Sequence, residues 1–354
     1  MNQRLKKLFE TFDANQIDAL LVGSEPNVTY LSGFKGGDSW LLVSPKVLYF
    51  ITDSRYAEQV RKEAKGFKVV LRDGKCVSEV VADLVRKMRG TRLGFEGNHA
   101  SYAFYMRLER FLGRGKLQAT RDLVEDLRQT KEVFEISQIK KSVGIAVRGF
   151  HYIKQAVRPG MTEREAQGRL EYFTKSLGAE KPAFDIIIAS GARSSMPHCQ
   201  TNNTVIKDNS LVLVDMGVVY EGYHSDLTRP IFLGKIGAFH KKIHRVVKQA
   251  QAAGIRKAAP GVAVKEVDAA CRDWIKKSGY GRYFSHGTGH GVGLQIHEAP
   301  TVSSRSSAVL KPGMVITVEP GIYLPAKFGI RIEDMVLITH KGNEVLTRDL
   351  DKPV

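Results

Sequence analysis

Cysteine is scarce in this chain: three residues in 354, Cys76, Cys199 and Cys271, with no CxxC pair among them. A structural disulfide is therefore not expected, and a reduced, cytoplasmic protein is. Long apolar runs are missing too. None approaches the ~18 residues that a membrane span requires. The first stretch, MNQRLKKLFETFDANQ, reads as an amphipathic helix without the apolar segment of a signal peptide, so no membrane partner is expected. Two common motifs are also absent. The glycines of HGTGHGVG fall at 287, 289, 291 and 293, which satisfies neither GxGxxG nor GxxxxGK[ST], and His297-Glu298 lacks the second histidine of HExxH. Those glycines are expected instead to let the backbone pass close to bound metal.

Acidic residues are in deficit, 37 Asp and Glu against 54 Lys and Arg, for a net charge of +17. Such an excess would suit a phosphate-bearing partner. The basic residues are spread along the chain, however. Their densest group (Lys241, Lys242, His244, Arg245, Lys248, Arg256 and Lys257) lies on one amphipathic helix, with no aromatic platform among them. A solvated basic surface balancing an acidic pocket is the reading adopted, and nucleic acid is not expected as a partner.

What is present is ordinary globular composition, 43% hydrophobic and 26% charged, at a length that accommodates two domains. Residues 1–125 read as a small α/β domain. Leu5, Leu8, Phe9 and Phe12 mark a helical face, and DALLV, WLLVS, VLYFI, FKVVL and RLGFE are strand candidates. Val77, Val80, Val81, Leu84, Val85 and Met88 keep the rhythm of a helix with one buried stripe. Asp53 and Arg55 read as a turn with a surface ion pair, and Asp38 as exposed. Residues 126–354 form the second domain. It opens with a single long helix to residue 157, stopped by Arg158-Pro159-Gly160, after which Thr162 to Glu165 spells a capping box.

This second domain repeats itself. RPGMTEREAQGRLEYFTKSLG (158–178) echoes APGVAVKEVDAACRDWIKKSG (259–279), and VIKDNSLVLVDMG (205–217) echoes VLKPGMVITVEPG (309–321). The alignment sets Asp215 against Glu319, and Asp226 and Glu333 fall at comparable places further on. With His290 they make four carboxylates and one imidazole, most of them in or after short β-branched runs that read as buried strands. Buried carboxylates do not stay ionised and unpaired. A pair of hard divalent cations is the economical counter-charge, and a pair ~3.5–4 Å apart is the apparatus of two-metal hydrolysis. Cys199 beside His198 lacks any oxyanion signature for a thiol nucleophile, and Ser225 and Ser285 read as structural.

DMGVVYEGYHSDLTR, HGTGHGVG, IHEAP, EPGIY and GIRIED resemble the motifs of the M24 metallopeptidases, and among them the Xaa-Pro branch of aminopeptidase P and Xaa-Pro dipeptidase (prolidase). PNVTYLSGF and TDSRY resemble the creatinase-type N-terminal domain of that branch. The resemblance implies an α/β (α+β) chain: a pita-bread catalytic domain with an internal pseudo-twofold repeat, preceded by a smaller creatinase-like domain. It implies two metal ions, Mn²⁺ above Co²⁺ or Zn²⁺. Asp215 would be a terminal ligand of one, His290 and Glu319 of the other, and Asp226 and Glu333 would bridge. Glu319 would also serve as general base. His198 and His297 would bind substrate and stabilise the intermediate, His286 would shape the proline pocket, and Tyr323 and Arg331 would support the ligands, with Arg331 orienting one carboxylate. TRP in place of the commoner TRT after Asp226, and the tail of MPHCQTNN, depart from the pattern without touching a ligand. A short proline-containing peptide is the expected substrate and a homodimer the expected assembly. Three other readings use the same fold. They are a methionine-aminopeptidase-like exopeptidase, a metal-free creatinase-type enzyme, and a non-catalytic basic protein binding nucleic acid or protein. The additional N-terminal domain and the setting of His198 argue against the first, and five intact ligands argue against the other two.

Overall fold

The computed structural model describes residues 3–88 and 91–351. The chain divides into two compact units, Met1–Arg128 and Gln129–Val354. In the first, strands β1 (Ala19–Val22), β2 (Trp40–Val43), β3 (Leu48–Thr52), β4 (Lys68–Leu71), β5 (Leu93–Glu96) and β6 (Leu117–Thr120) form one sheet in the order β4-β3-β2-β1-β5-β6. The striped helix is Val77–Lys87, and its Val80, Val81, Leu84 and Val85 are buried against the sheet's apolar residues. The opening helix is short, Gln3–Phe9, so Phe12 is buried from the turn that follows it, and Met1 and Asn2 of the expected helix lie outside the described residues. Asp53 accepts from the backbone N–H of Arg55, whose guanidinium also pairs with Asp53 and Asp38 at the surface.

The long helix expected to run to residue 157 is two helices, Leu123–Gln129 and Val133–Ala156, separated at residues 130–132. No proline or glycine breaks it. The backbone N–H of Lys131 donates instead to Gly313 O at 2.9 Å, and Glu132 starts the second helix with a reciprocal capping box to Glu135. At the Thr162 start only half the expected box forms. Thr162 Oγ1 accepts from Glu165 N at 3.0 Å, while the Glu165 carboxylate turns to Arg169.

The repeat in the second unit is visible hydrogen bond by hydrogen bond. In the first half, Thr162 bridges Val205, with Gly160 N to Ile206 O at 2.9 Å and Ile206 N to Met161 O at 2.8 Å. At the aligned positions of the second half, Ala263 bridges Val309, with Gly261 N to Leu310 O at 2.8 Å and Leu310 N to Val262 O at 2.9 Å. Each half then supplies a helix pair, Val133–Ala156 with Glu163–Ser176 and Ala238–Lys257 with Val264–Lys277, and antiparallel strands. The first-half strands are β7 (Lys181–Pro182), β8 (Ile187–Ser190), β9 (Leu211–Met216), β10 (Val218–Tyr220), β11 (Tyr223–His224) and β12 (Leu227–Phe232). Among them β12-β9-β8 form one sheet. The second half contributes β13 (Gly289–Gly291), β14 (Glu298–Val302), β15 (Val315–Val318), β16 (Gly321–Leu324), β17 (Phe328–Arg331), β18 (Asp334–Thr339) and β19 (Gly342–Val345). Its main sheet runs β14-β13-β15-β18-β19, and β16 pairs with β17. The β12 and β18 sheets meet where Thr228 bridges Glu333.

The core of the second half lies between its two helices and this sheet, with Val247, Val267, Cys271, Ile316, Val318 and Val336 fully buried. Gly254 marks a tight contact of the first helix with the second and with the sheet. A Cβ there would land on Cys271 Sγ and press on Val318 Cγ1 at 3.0 Å. Replacing glycine by alanine in a helix ordinarily gains ~1 kcal/mol, whereas overpacking a core costs about 1–3 kcal/mol. Gly254→Ala is expected to lower unfolding stability in urea denaturation. A stabilised variant would mean that the contact yields readily.

Candidate metal centre

Asp215 sits near the end of β9, Asp226 just before β12, Glu319 directly after β15 and Glu333 directly before β18, while His290 is the middle residue of β13. The four acids therefore stand at equivalent strand ends of the two halves, and the fold brings all five residues together. His290 Nε2 is 3.5 Å from Asp226 Oδ2 and 3.5 Å from Glu319 Oε1. Asp226, His290 and Glu333 each place a ligand atom within 4.8 Å of the others. Asp226 and Glu333 are 5% and 2% exposed, which marks the cluster as interior rather than as surface acids.

Backbone and side-chain bonds fix each group. His290 Nδ1 donates to Gly291 O at 3.0 Å, which places the proton on Nδ1 and leaves Nε2 free to ligate. Thr317 Oγ1 accepts from His290 N at 3.0 Å and donates to Glu319 Oε1 at 3.0 Å, and Glu319 N donates to Thr288 O at 2.8 Å. Thr228 Oγ1 donates to Glu333 Oε2 at 2.6 Å and accepts from Arg331 Nε at 3.1 Å. Arg331 donates through Nη2 to Asp215 Oδ2 and through Nη1 to Tyr323 Oη at 2.7 Å.

His286 Nδ1 donates to Gly287 O at 2.7 Å, so its Nε2 accepts the Tyr323 hydroxyl proton at 3.0 Å. Burial, reinforced by Arg331, lowers the His286 pKa to about 4 and keeps the ring neutral, as that direction of donation requires. Both nitrogens of His286 are thus engaged within the protein. His297 stands edge-on to His290 with ring centroids 4.4 Å apart. His198 is exposed, near enough for its imidazole to act on the charge of His286, His297 and Glu319. Cys199 is buried beside it, and burial pushes the thiol pKa up, away from a nucleophilic thiolate.

Two of the HGTGHGVG glycines are required by strand packing. A Cβ at Gly289 would collide with Thr317 O and one at Gly291 with Ala299 O, so these glycines let β13 lie tight between β15 and β14.

Sequence reasoning missed three ion pairs around the centre. Glu163, fully buried, accepts from Ser190 N and pairs with Arg193, which also holds Gln200 O in the segment carrying His198. Asp268 pairs with Arg272 and accepts from Thr288 N and Oγ1, while Arg272 holds Phe284 O and His286 O. Lys131 pairs with Glu298 beside His297. The Asp268–Arg272 pair is written in its i, i+4 spacing. The other two join residues too far apart in the chain to be read together.

Four carboxylates converge here, and Arg331 is the guanidinium donating into them. Hard oxygen donors in excess, with one imidazole whose Nε2 is presented, fit divalent cations and do not fit a thiolate or haem site. The class this defines is a metallohydrolase with a carboxylate-rich site. Residues 137–340 match the model for metallopeptidase family M24 and residues 4–130 that for the creatinase/prolidase N-terminal domain. The chain belongs to family M24 and is a metallopeptidase with the pita-bread fold. It is 38% identical over 351 residues to an Xaa-Pro dipeptidase of Pyrococcus horikoshii, covering 98% of this chain and 97% of that protein. Among solved structures it resembles the Xaa-Pro dipeptidase from Bacillus anthracis, with TM-score 0.95, 40% identity and coverage of 99% and 98% of the two chains. It also resembles an X-Pro aminopeptidase from Thermotoga maritima, with TM-score 0.89, 36% identity and coverage of 96% and 97%. Among the described residues no helix is long and apolar enough to cross a membrane.

Without metal the cluster stores protons. Burial, aided by neighbouring acids, raises Asp226 and Glu333 well above the carboxylate range and, against Arg331, lifts Glu319 from 4.5 to about 7. Between those two values the folded chain keeps a proton that the unfolded chain has released, so stability falls as pH rises through the window. The melting temperature of chelated protein is expected to drop between about pH 5 and pH 7.5, with the stabilisation by added divalent cation growing over the same interval. A metal-free profile that is flat or rises would contradict this account of the acids.

Proposed function

We propose that this chain is a two-metal exopeptidase that cleaves the bond between an N-terminal residue and a following proline, in dipeptides or short peptides. The observation that carries this reading is the cation-poor set of buried Asp215, Asp226 and Glu333 with half-buried His290 and Glu319, drawn from both halves of the domain. Asp215 would hold one ion and His290 with Glu319 the other, Asp226 and Glu333 bridging. Oxygen-rich ligation favours Mn²⁺, with Co²⁺ or Zn²⁺ as substitutes. When bound, such a pair supplies a water of lowered pKa and polarises the scissile carbonyl.

The chain's own groups do the rest. Glu319, its pKa raised to about 7 by burial in the metal-free protein, takes the proton of the attacking water and passes it to the departing proline nitrogen. That transfer is indispensable with proline, whose tertiary amide has no N–H and leaves poorly as an anion. His297 and His198 direct N–H groups at the oxygen where negative charge develops. His286 has both nitrogens occupied by Gly287 and Tyr323 and therefore acts as a wall of the proline pocket. Arg331 holds Asp215 at one oxygen and Tyr323 at its hydroxyl, which fixes the direction from which Asp215 approaches an ion. The creatinase-type segment, residues 1–125, is assigned to dimerisation and to restricting access to short peptides, and the enzyme to the cytoplasm.

Purified protein loaded with Mn²⁺ is expected to hydrolyse Gly-Pro, a longer Xaa-Pro-Xaa peptide, or both, and to lose that activity on chelation. Inertness of the metallated protein towards both would overturn the Xaa-Pro assignment. Glu319→Gln is expected to fold and to lose about 10²–10⁴-fold in kcat, the usual worth of a general base. Turnover within a factor of two of the parent would remove Glu319 from that role.

A further inference from the structure

We infer that Lys131 is a positioning residue for His297, acting through Glu298. This rests on the proposed role of His297 at the developing oxyanion. Lys131 Nζ lies 3.1 Å from Glu298 Oε2, and the two side chains are 1% and 5% exposed. A pair so completely removed from water is unlike the surface ion pairs elsewhere in the chain, such as Lys62–Glu58 at 72% and 85%. Glu298 opens β14 directly after His297, and β13, which carries His290, pairs with it. The segment from Gly291 to His297 is therefore a closed loop joining a proposed ligand to a proposed oxyanion donor.

Glu298 holds that loop from inside. Its Oε1 accepts the backbone N–H of Gln295 at 3.0 Å while Oε2 faces Lys131. Lys131 Nζ and Gln295 N thus approach different oxygens of one side chain, and a carboxylate supplies an acceptor to each. Neutral glutamine would supply a single acceptor oxygen, so it cannot satisfy Lys131 and Gln295 together. Lys131 is itself fixed at both ends: its backbone N–H donates to Gly313 O at 2.9 Å, and its ammonium also lies 3.4 Å from Gln129 O. Charge and geometry together fix the orientation of the Glu298 carboxylate, and hence where the neighbouring imidazole stands against His290. Displacement of a catalytic group by about 1 Å can cost on the order of a hundredfold in rate.

The test uses full-length, Mn²⁺-loaded enzyme and compares Lys131→Met, Glu298→Gln, His297→Gln and the pairwise combinations. Lys131→Met and Glu298→Gln are each expected to lower kcat on the order of tenfold to a hundredfold, with bound metal unchanged and KM within about threefold. Neither should lower kcat further in the His297→Gln background, because the group being positioned is already gone. The Lys131→Met/Glu298→Gln double variant removes both charges. It is expected to remain slower than the parent, because the ammonium that orients the side chain at 298 is gone, and no slower than either single variant, because no charge is left buried without its counter-charge. Should Lys131→Met prove insoluble, this double variant carries the same comparison. Parental kcat in metallated Lys131→Met, or in the double variant that replaces it, overturns the inference. So does a loss of equal size in the His297→Gln background, which would show a structural role independent of the imidazole. If His297→Gln itself turns over normally, it is the role of His297 that fails, an outcome distinct from the other two.

Discussion

Carboxylates dislike the interior of a protein, and this domain places four of them there. Burial alone raises the pKa values of Asp226, Glu319 and Glu333, and their mutual repulsion adds to the effect. Hydrophobic packing must support that arrangement until a cation compensates it. The support is substantial: β9, β15 and β18 are buried almost throughout, and the second-half core packs two helices onto its sheet. The rest of the architecture follows from the need to hold like charges together at the ends of strands that would otherwise carry valine and isoleucine.

Around this centre the same device recurs. The segments carrying His198, His286 and His297 are each held by a buried acid side chain that accepts a backbone N–H and is neutralised by a base: Glu163 with Arg193, Asp268 with Arg272, Glu298 with Lys131. A carboxylate suits this task because it accepts in two directions at once, and its partner cation lowers the cost of enclosing it. Loops rich in glycine, as HGTGHGVG is, have little stiffness of their own and take their shape from such anchors.

Much of this was legible beforehand, for reasons that differ from place to place. Strands β1 to β5 announced themselves as short, largely apolar runs, and the repeat was readable because PG turns and strand-end acids fall in register. β6 was not legible, since LQAT is a half-exposed edge strand with no apolar alternation. The break at residues 130–132 was invisible for another reason. RQTKEVF has the composition of a continuous helix, and only the contacts of Lys131 with Gly313 and Glu298, remote in sequence, explain why the chain turns there. The full capping box was likewise read one helix too late, because Glu at the cap position of Glu132 is a weaker signal than Thr162.

The bridge between Thr228 and Glu333 has a consequence for how the protein matures. It is a seam at which one half's sheet meets the other's, and the hydroxyl that crosses it grips an acid of the metal set. Neither half owns more than two of the acids, so a nascent chain that has completed only the first carries half of the proposed carboxylate set. Closing that seam is thereby what completes the proposed ligand set, which neither repeat can assemble alone.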